Sequence, residues 1–306
     1  MGRRNKGNPV HGWLVLDKPF GLTSTHALAQ VKRLFNAQKA GHAGTLDPLA
    51  TGILPIAFGE ATKTVSYAVD GEKSYRFVVR WGVETTTDDA EGPAAKTSEL
   101  RPSAEAIEQQ LAHFTGEIMQ VPPQFSAIKV DGDRAYDLAR SGETIELVAR
   151  PVIVDALRII EHTDAETTVF EADCGKGTYV RALARDMGRA LGCYGHVVGL
   201  RRTRVGPFSE DNAITIDELR EIAEAEGGGS LEGMLQPVEA ALNSLTELSI
   251  SPSDAASLCS GQPVLIRGRD APVLTGPVYA MSKGRLIALG EIDRGAIRPT
   301  RVFNFS

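Results

Sequence analysis

Cysteine is scarce in this 306-residue chain: Cys174, Cys193 and Cys259 lie far apart and form no Cys-x-x-Cys pair. Neither a disulfide framework nor a zinc site is expected, and the three thiols read as small buried side chains. Long apolar runs are also missing, since no stretch approaches the roughly eighteen residues of a membrane span. The opening Met1-Gly2-Arg3-Arg4-Asn5-Lys6 is basic but lacks the apolar stretch of a signal peptide, so the expected location is the cytoplasm. Gly175-Lys176-Gly177-Thr178 lacks the Gly-x-x-x-x-Gly-Lys-Ser/Thr spacing of a phosphate loop, which sets nucleoside triphosphates aside. No internal repeat is present.

An overall positive charge is missing too, the net being −6, yet its distribution is uneven. Residues 1–83 hold eleven Lys/Arg against five Asp/Glu, and residues 251–306 hold seven against four. The acid concentrates between them, with two against seven in residues 84–111 and one against ten in residues 209–250. Polyanion binding depends on local patches rather than on the total, so a nucleic-acid partner stays open.

What is present centres on Ala40-Gly41-His42-Ala43-Gly44-Thr45-Leu46-Asp47-Pro48-Leu49-Ala50-Thr51-Gly52. Glycines let a large ligand approach the main chain, and Pro48 biases Asp47 away from helical angles. A carboxylate on a stiff, approachable loop is what a nucleophile needs. A lone Asp-Pro would read as an ordinary turn, but this one has company. Gly12-Trp13-Leu14-Val15-Leu16-Asp17-Lys18-Pro19-Phe20-Gly21-Leu22-Thr23-Ser24 precedes it, and Gly59-Glu60-Ala61-Thr62-Lys63 and Lys73-Ser74-Tyr75-Arg76 follow. Further on stand Gly177-Thr178-Tyr179-Val180-Arg181 and Val198-Gly199-Leu200-Arg201-Arg202.

In this order, these segments resemble the motifs of the TruB-type tRNA pseudouridine synthases, covering the chain from about Gly12 to about Arg204. The resemblance implies isomerisation of a T-loop uridine, at tRNA position 55, to pseudouridine. The bond from ribose to N1 is broken and remade to C5 with no net oxidation or hydrolysis, so no metal or cofactor is expected. A stacked base must first be flipped out. Asp47 is the implied nucleophile, attacking ribose or base or assisting ribose deprotonation. Arg181 is its implied partner, because an adjacent guanidinium keeps a carboxylate ionised and oriented. Tyr75 is expected to stack on the base and is a candidate acceptor for the C5 proton. His42 fits a wedging role, Tyr179 and Leu200 the base pocket, and Lys18 and Lys63 either phosphate contact or bracing of the loop. Taken singly, Tyr75, Tyr179 and Leu200 would read as core residues, and the lysines as exposed.

The pattern along the chain intermixes strands and helices, an α+β (mixed α/β) class. Strands are predicted at Trp13–Leu16, Tyr75–Trp81, Val152–Ile160, Thr168–Cys174 and from Val197, with the basic Arg201–Arg204 following the last. Helices are predicted from Ser24, which can cap its own helix, over Ser103–Phe114, and over Tyr179–Leu191. The acidic stretch Glu84–Ser98 reads as an exposed connection. The resemblance implies the pseudouridine synthase fold, with a central mixed, mostly antiparallel sheet in a catalytic domain spanning residues 1–244. It also implies an RNA-gripping insertion at about 124–151, where Arg134–Arg140 looks like a short arginine-bearing helix. Short β-like runs beyond Leu245 suggest a small domain, 245–306, resembling a PUA-like RNA-binding module. The expected partner is the tRNA T-arm, with no membrane and no obligate protein partner. Two other readings stay open: a nucleoside hydrolase, which would normally want a second catalytic acid, and an RNA-binding or RNA-folding protein without chemistry.

Overall fold

The structure is a computed structural model that describes residues 7–126, 128–130, 133–134, 146–225, 230–266 and 275–305. Seven strands make the backbone of the main sheet: β1 (Gly12–Lys18), β2 (Ala50–Phe58), β3 (Lys73–Trp81), β4 (Gly116–Gln120), β5 (Arg150–His162), β6 (Thr167–Cys174) and β7 (Gly195–Val205). They lie in the order β1-β2-β7-β3-β6-β5-β4. Every neighbouring pair is antiparallel except β2 and β7. That parallel junction brings the loop before β2 onto the middle of the sheet. It also explains Gly52: at φ +98°, a Cβ there would stand 2.2 Å from the Arg202 carbonyl oxygen.

Alternation along the strands sorts the core onto two faces. In β1, Leu14 and Leu16 pack with helix α1 (Ser24–Leu34), whereas Trp13 and Val15 point to the opposite cluster. In β3, Phe77, Val79 and Trp81 face Leu183, Ala184 and Met187 of helix α3 (Val180–Ala190). Between these helices in sequence lies α2 (Ala104–Leu111), capped by Ser103. The mixed, mostly antiparallel sheet and its flanking helices agree with the predicted class.

Four local expectations are corrected. Thr23, not Ser24, caps α1, accepting the His26 amide, while Ser24 is buried elsewhere. The β7 strand continues through Val205, so Arg201–Arg204 lie inside the sheet. The acidic stretch is a solvated connection only in its second half: Glu84, Thr85, Asp88 and Asp89 are buried, whereas Glu91 and Ala94–Thr97 are exposed. The reason is a row of arginines four apart on α3, which places Arg181, Arg185 and Arg189 against Asp89, Asp88 and Glu84 respectively. In the insertion, Lys129–Val130 and Asp133–Arg134 pair as a ribbon, so Arg134 is on a strand. The remainder of the expected Arg134–Arg140 helix lies outside the described residues.

Helix α4 (Ile216–Glu224) opens with a capping box between Thr215 and Glu218. The C-terminal β-rich domain then forms a second sheet from β8 (Thr246–Ser249), β9 (Val264–Leu265), β10 (Gly276–Ser282), β11 (Arg285–Asp293) and β12 (Ala296–Val302). Its order is β8-β10-β11-β12-β9. One face makes its own core around Leu258, Ala280 and Ile297 with helix α5 (Pro252–Cys259). The other sends Leu286, Leu289 and Phe303 into a cluster with Trp13, Phe208 and Leu242. Cys174 and Cys193 are buried as expected, but Cys259, at the end of α5, is exposed.

That shared cluster makes the two sheets energetically dependent on each other. Phe303→Ala should cost about 3 kcal/mol and lower the denaturation midpoint of both sheets together. Near-UV circular dichroism of Trp13 and Trp81, both in the first sheet, followed against denaturant alongside amide exchange in β11 of the second, checks this.

Candidate active site

The Asp47 loop is built by capturing its own peptide groups. Arg202 donates through Nη2 to the Gly44 carbonyl (3.0 Å), through Nη1 to Thr45 (3.4 Å) and through Nε to Ile53 (2.8 Å). Ser24 Oγ accepts the Leu46 amide (2.8 Å) and donates to the Leu46 carbonyl (2.9 Å). Lys18 Nζ and the Gly21 amide donate to the Pro48 carbonyl at 3.3 and 2.8 Å. Peptide groups on both sides of Asp47 are thus fixed by side chains from β1, α1 and β7. Lys18 and Arg202 are themselves buried, at 0% and 2% exposure, and the loop carbonyls are the acceptors that their charges require. Burial pulls the Lys18 pKa down to about 8, against the pull of Asp47.

Asp47 Oδ2 meets Arg181 Nε at 2.9 Å. Arg181 sits in the first turn of α3 and also donates to the carbonyls of Thr87 (3.0 Å) and Phe125 (2.9 Å), with Asp89 at 3.5 Å. The pair is asymmetric: the Asp47 side chain is 38% exposed and Arg181 only 6%. The carboxylate is presented to the cavity and the guanidinium is hidden behind it. Burial pushes the Asp47 pKa above the usual aspartate range; Arg181 opposes that shift and Asp89 adds to it.

A cavity of about 580 Å³ opens in front of this carboxylate, lined among others by Lys73, Tyr75, Tyr179, Leu200 and Arg202. Its volume is typical of a ligand pocket. Tyr75 comes from β3 and is pushed towards the neutral phenol by burial, with Arg202 pulling the other way through charge and a hydrogen bond. Tyr179 immediately precedes α3 and is pinned through its backbone by Gln120, whose Oε1 accepts the Tyr179 amide at 2.8 Å. Its phenol is likewise raised by burial.

The structure therefore gathers Asp47, Tyr75, Tyr179, Arg181 and Leu200 around one cavity. It does not gather the others there. His42 ends the short strand Ala40–His42, half-buried and outside the lining. Lys18 is sealed beneath the loop and braces it, so it has no surface for a phosphate. Lys63 stands at the seam with the C-terminal domain, donating to Glu60 (2.6 Å) and the Val302 carbonyl (2.8 Å). Arg201 and Arg204 are likewise engaged internally, with Asp17 and Glu72. Sequence reasoning missed Ser24, Lys73, Asp89 and Arg202. Only Arg202 left a signal, because strand alternation puts it on the same face as Leu200.

A clamped carboxylate and two tyrosines therefore line one ligand-sized cavity on a mixed sheet. Comparison with known proteins gives the family. Residues 32–180 match the family described as "TruB family pseudouridylate synthase (N terminal domain)". Residues 181–243 match "tRNA pseudouridylate synthase B C-terminal domain", and residues 246–303 match "Pseudouridine synthase II TruB, C-terminal". The chain belongs to the TruB family of pseudouridylate synthases, as its motifs suggested. It is 59% identical to the tRNA pseudouridine synthase B of Rhodopseudomonas palustris, over 99% of this chain and 83% of that protein. It is 57% identical to the enzyme of the same name from Bradyrhizobium diazoefficiens, over 99% of this chain and 91% of that one. Among solved structures, a Cbf5-Nop10-Gar1 complex contains a chain similar at TM-score 0.73 and 27% identity, covering 100% of this chain and 91% of that one. An H/ACA RNP bound to a substrate RNA containing 2'-deoxyuridine gives TM-score 0.73 and 26% identity, covering 99% and 92%.

Two consequences are measurable. Ser24→Ala removes both bonds to Leu46 and should lower single-turnover pseudouridine formation at least tenfold, about 1.4 kcal/mol, with Ser24→Thr retaining more of the rate. Burial raises the Asp47 pKa; if the carboxylate acts in its ionised form, the rate should fall as pH drops through a value above that of an ordinary aspartate. A single-turnover pH profile locates that acid limb.

Proposed function

We propose that the chain isomerises a uridine in the T-loop of tRNA, at position 55, to pseudouridine, acting in the cytoplasm without an obligate protein partner. The observation that carries this reading is the Asp47–Arg181 pair, with its carboxylate outermost and its cation buried. The names of the curated relatives support tRNA as the substrate. The uridine is flipped from its stack into the cavity, with His42 wedging into the space it leaves. Asp47 attacks the ribose or the base, or assists ribose deprotonation. In each case the N1–C1′ bond breaks, the uracil rotates within the cavity, C5 bonds to C1′, and the C5 proton leaves. No redox or hydrolytic partner is needed for that balance.

Tyr75 stacks on the uracil, and Tyr179 and Leu200 complete the walls that keep it from escaping. Burial favours the protonated phenol at Tyr75. That form suits stacking, and a role as acceptor of the C5 proton requires the hydroxyl to be deprotonated with help from Arg202. The C-terminal domain, with its excess of Lys/Arg, supplies affinity for the T-arm. Its shared cluster with Trp13 means that it also supports the catalytic fold.

The test is single-turnover pseudouridine mapping on an unmodified tRNA transcript, with binding measured in parallel. Asp47→Asn should abolish product while leaving RNA affinity within about tenfold, or about 1.4 kcal/mol, because most affinity comes from phosphate contacts elsewhere. Arg181→Ala should also reduce the rate severely, by leaving the carboxylate unpaired. Release of free uracil would point to a hydrolase instead. Turnover by the Asn variant close to the parent's would remove Asp47 from the reaction.

A further inference from the structure

Phe20 is exposed over 66% of its surface. The other phenylalanines, both tryptophans and every described tyrosine are buried or half-buried. Among the described residues, Phe20 is therefore the one phenylalanine, tyrosine or tryptophan ring left in the open, beside the exposed imidazoles of His26 and His113. A lone exposed apolar side chain is ordinary on a protein surface, but the mounting of this one is not. It stands on the turn Lys18-Pro19-Phe20-Gly21, where proline fixes one φ and Gly21 takes φ +79°. Lys18 Nζ donates to the carbonyls on either side of the ring, Pro19 at 2.9 Å and Leu22 at 2.7 Å. The Gly21 amide donates to the Pro48 carbonyl at 2.8 Å, one residue beyond Asp47.

The turn and the catalytic loop are thus one rigid piece. Pro48, Thr23 and Ser24 line the cavity, so the turn that carries Phe20 adjoins it. A Cβ added at Gly21 would meet nothing within 4 Å, which leaves the turn open to a ligand from outside. We propose that Phe20 is a stacking platform for an unpaired base of the substrate RNA, adjoining the uridine drawn into the cavity.

The inference rests on the RNA substrate proposed above. His42 fills the space of the extruded base, and the unpaired bases splayed beside it gain a stacking partner in an exposed aromatic face that does not read base identity. Because the backbone that carries the ring is already held, only the side-chain rotamer remains to be ordered on contact. Such a contact is worth about tenfold to a hundredfold in affinity.

The experiment uses the full chain, an unmodified tRNA transcript and a T-arm RNA hairpin. Phe20→Ala and Phe20→Leu should weaken binding of both RNAs by about tenfold to a hundredfold, and Phe20→Tyr and Phe20→Trp should restore it. The Phe20→Trp variant carries its own reporter, since Trp13 and Trp81 are buried at 0% and 1% exposure. Its emission should be quenched as RNA saturates the protein. Binding by Phe20→Leu equal to the parent's, or unquenched emission from the Trp variant with RNA bound, would overturn the proposal. That includes the case in which Phe20 serves a protein contact. The parent is run alongside: if it modifies the transcript while the Phe20 variants bind normally, only the platform fails. A parent that neither binds nor modifies the transcript overturns the substrate reading and the platform together.

Discussion

Everything in this site depends on two buried cations and the loop that needs them. Lys18 and Arg202 would be costly inside the protein without acceptors, and the carbonyls of Gly44, Thr45 and Pro48 would be costly without donors. Each solves the other's problem, and Ser24 does the same for both polar groups of Leu46. The by-product of this mutual satisfaction is a carboxylate whose backbone cannot drift. Asp47 needs no side-chain entropy loss beyond its own rotamer to meet Arg181, so the orientation a nucleophile requires is already present in the free protein.

The same economy explains Arg181. Its helix is fastened by the acidic stretch, with Arg189 paired to Glu84 through contacts at 2.7 and 2.9 Å and Arg185 to Asp88 at 3.0 Å. These partners pull the Glu84 pKa down to about 2, whereas burial lifts Asp88 to about 6 despite Arg185. Glu84, Asp88 and Asp89 are therefore structural, held against arginines of α3 rather than spread over the surface. At the other side of the molecule, Glu60 accepts the Asn304 amide at 2.7 Å. A motif residue near the catalytic loop thereby ties in the end of the C-terminal domain.

Much of this was legible beforehand, and the boundary has a physical form. The apolar run Trp13–Leu16, the strand-like Tyr75–Trp81, and the spacing of Leu183 and Met187 showed the strands and helix that carry the site. Asp47 was legible because glycine and proline around an acid restrict the backbone visibly. Residues acting through burial were not. Lys18, Arg202 and Asp89 look like surface charges in a sequence, and only tertiary packing shows that they are inside. Ser24 looked like a helix cap because Ser and Thr are interchangeable in that role; the neighbouring Thr23 took it and freed Ser24 to reach Leu46. Arg201 and Arg204 look like solvated charges in a sequence, and their partners Asp17 and Glu72 come from distant segments that no local pattern connects.

If the clamp is what makes Asp47 effective, its rigidity must exist before any RNA arrives. Hydrogen exchange at the Leu46 amide in the free protein measures this directly, because that amide is held by Ser24 Oγ and by no element of regular structure. The account predicts protection comparable to amides in the centre of β2, lost on replacing Ser24 by alanine. Exchange at the rate of an open loop in the unaltered protein would contradict it.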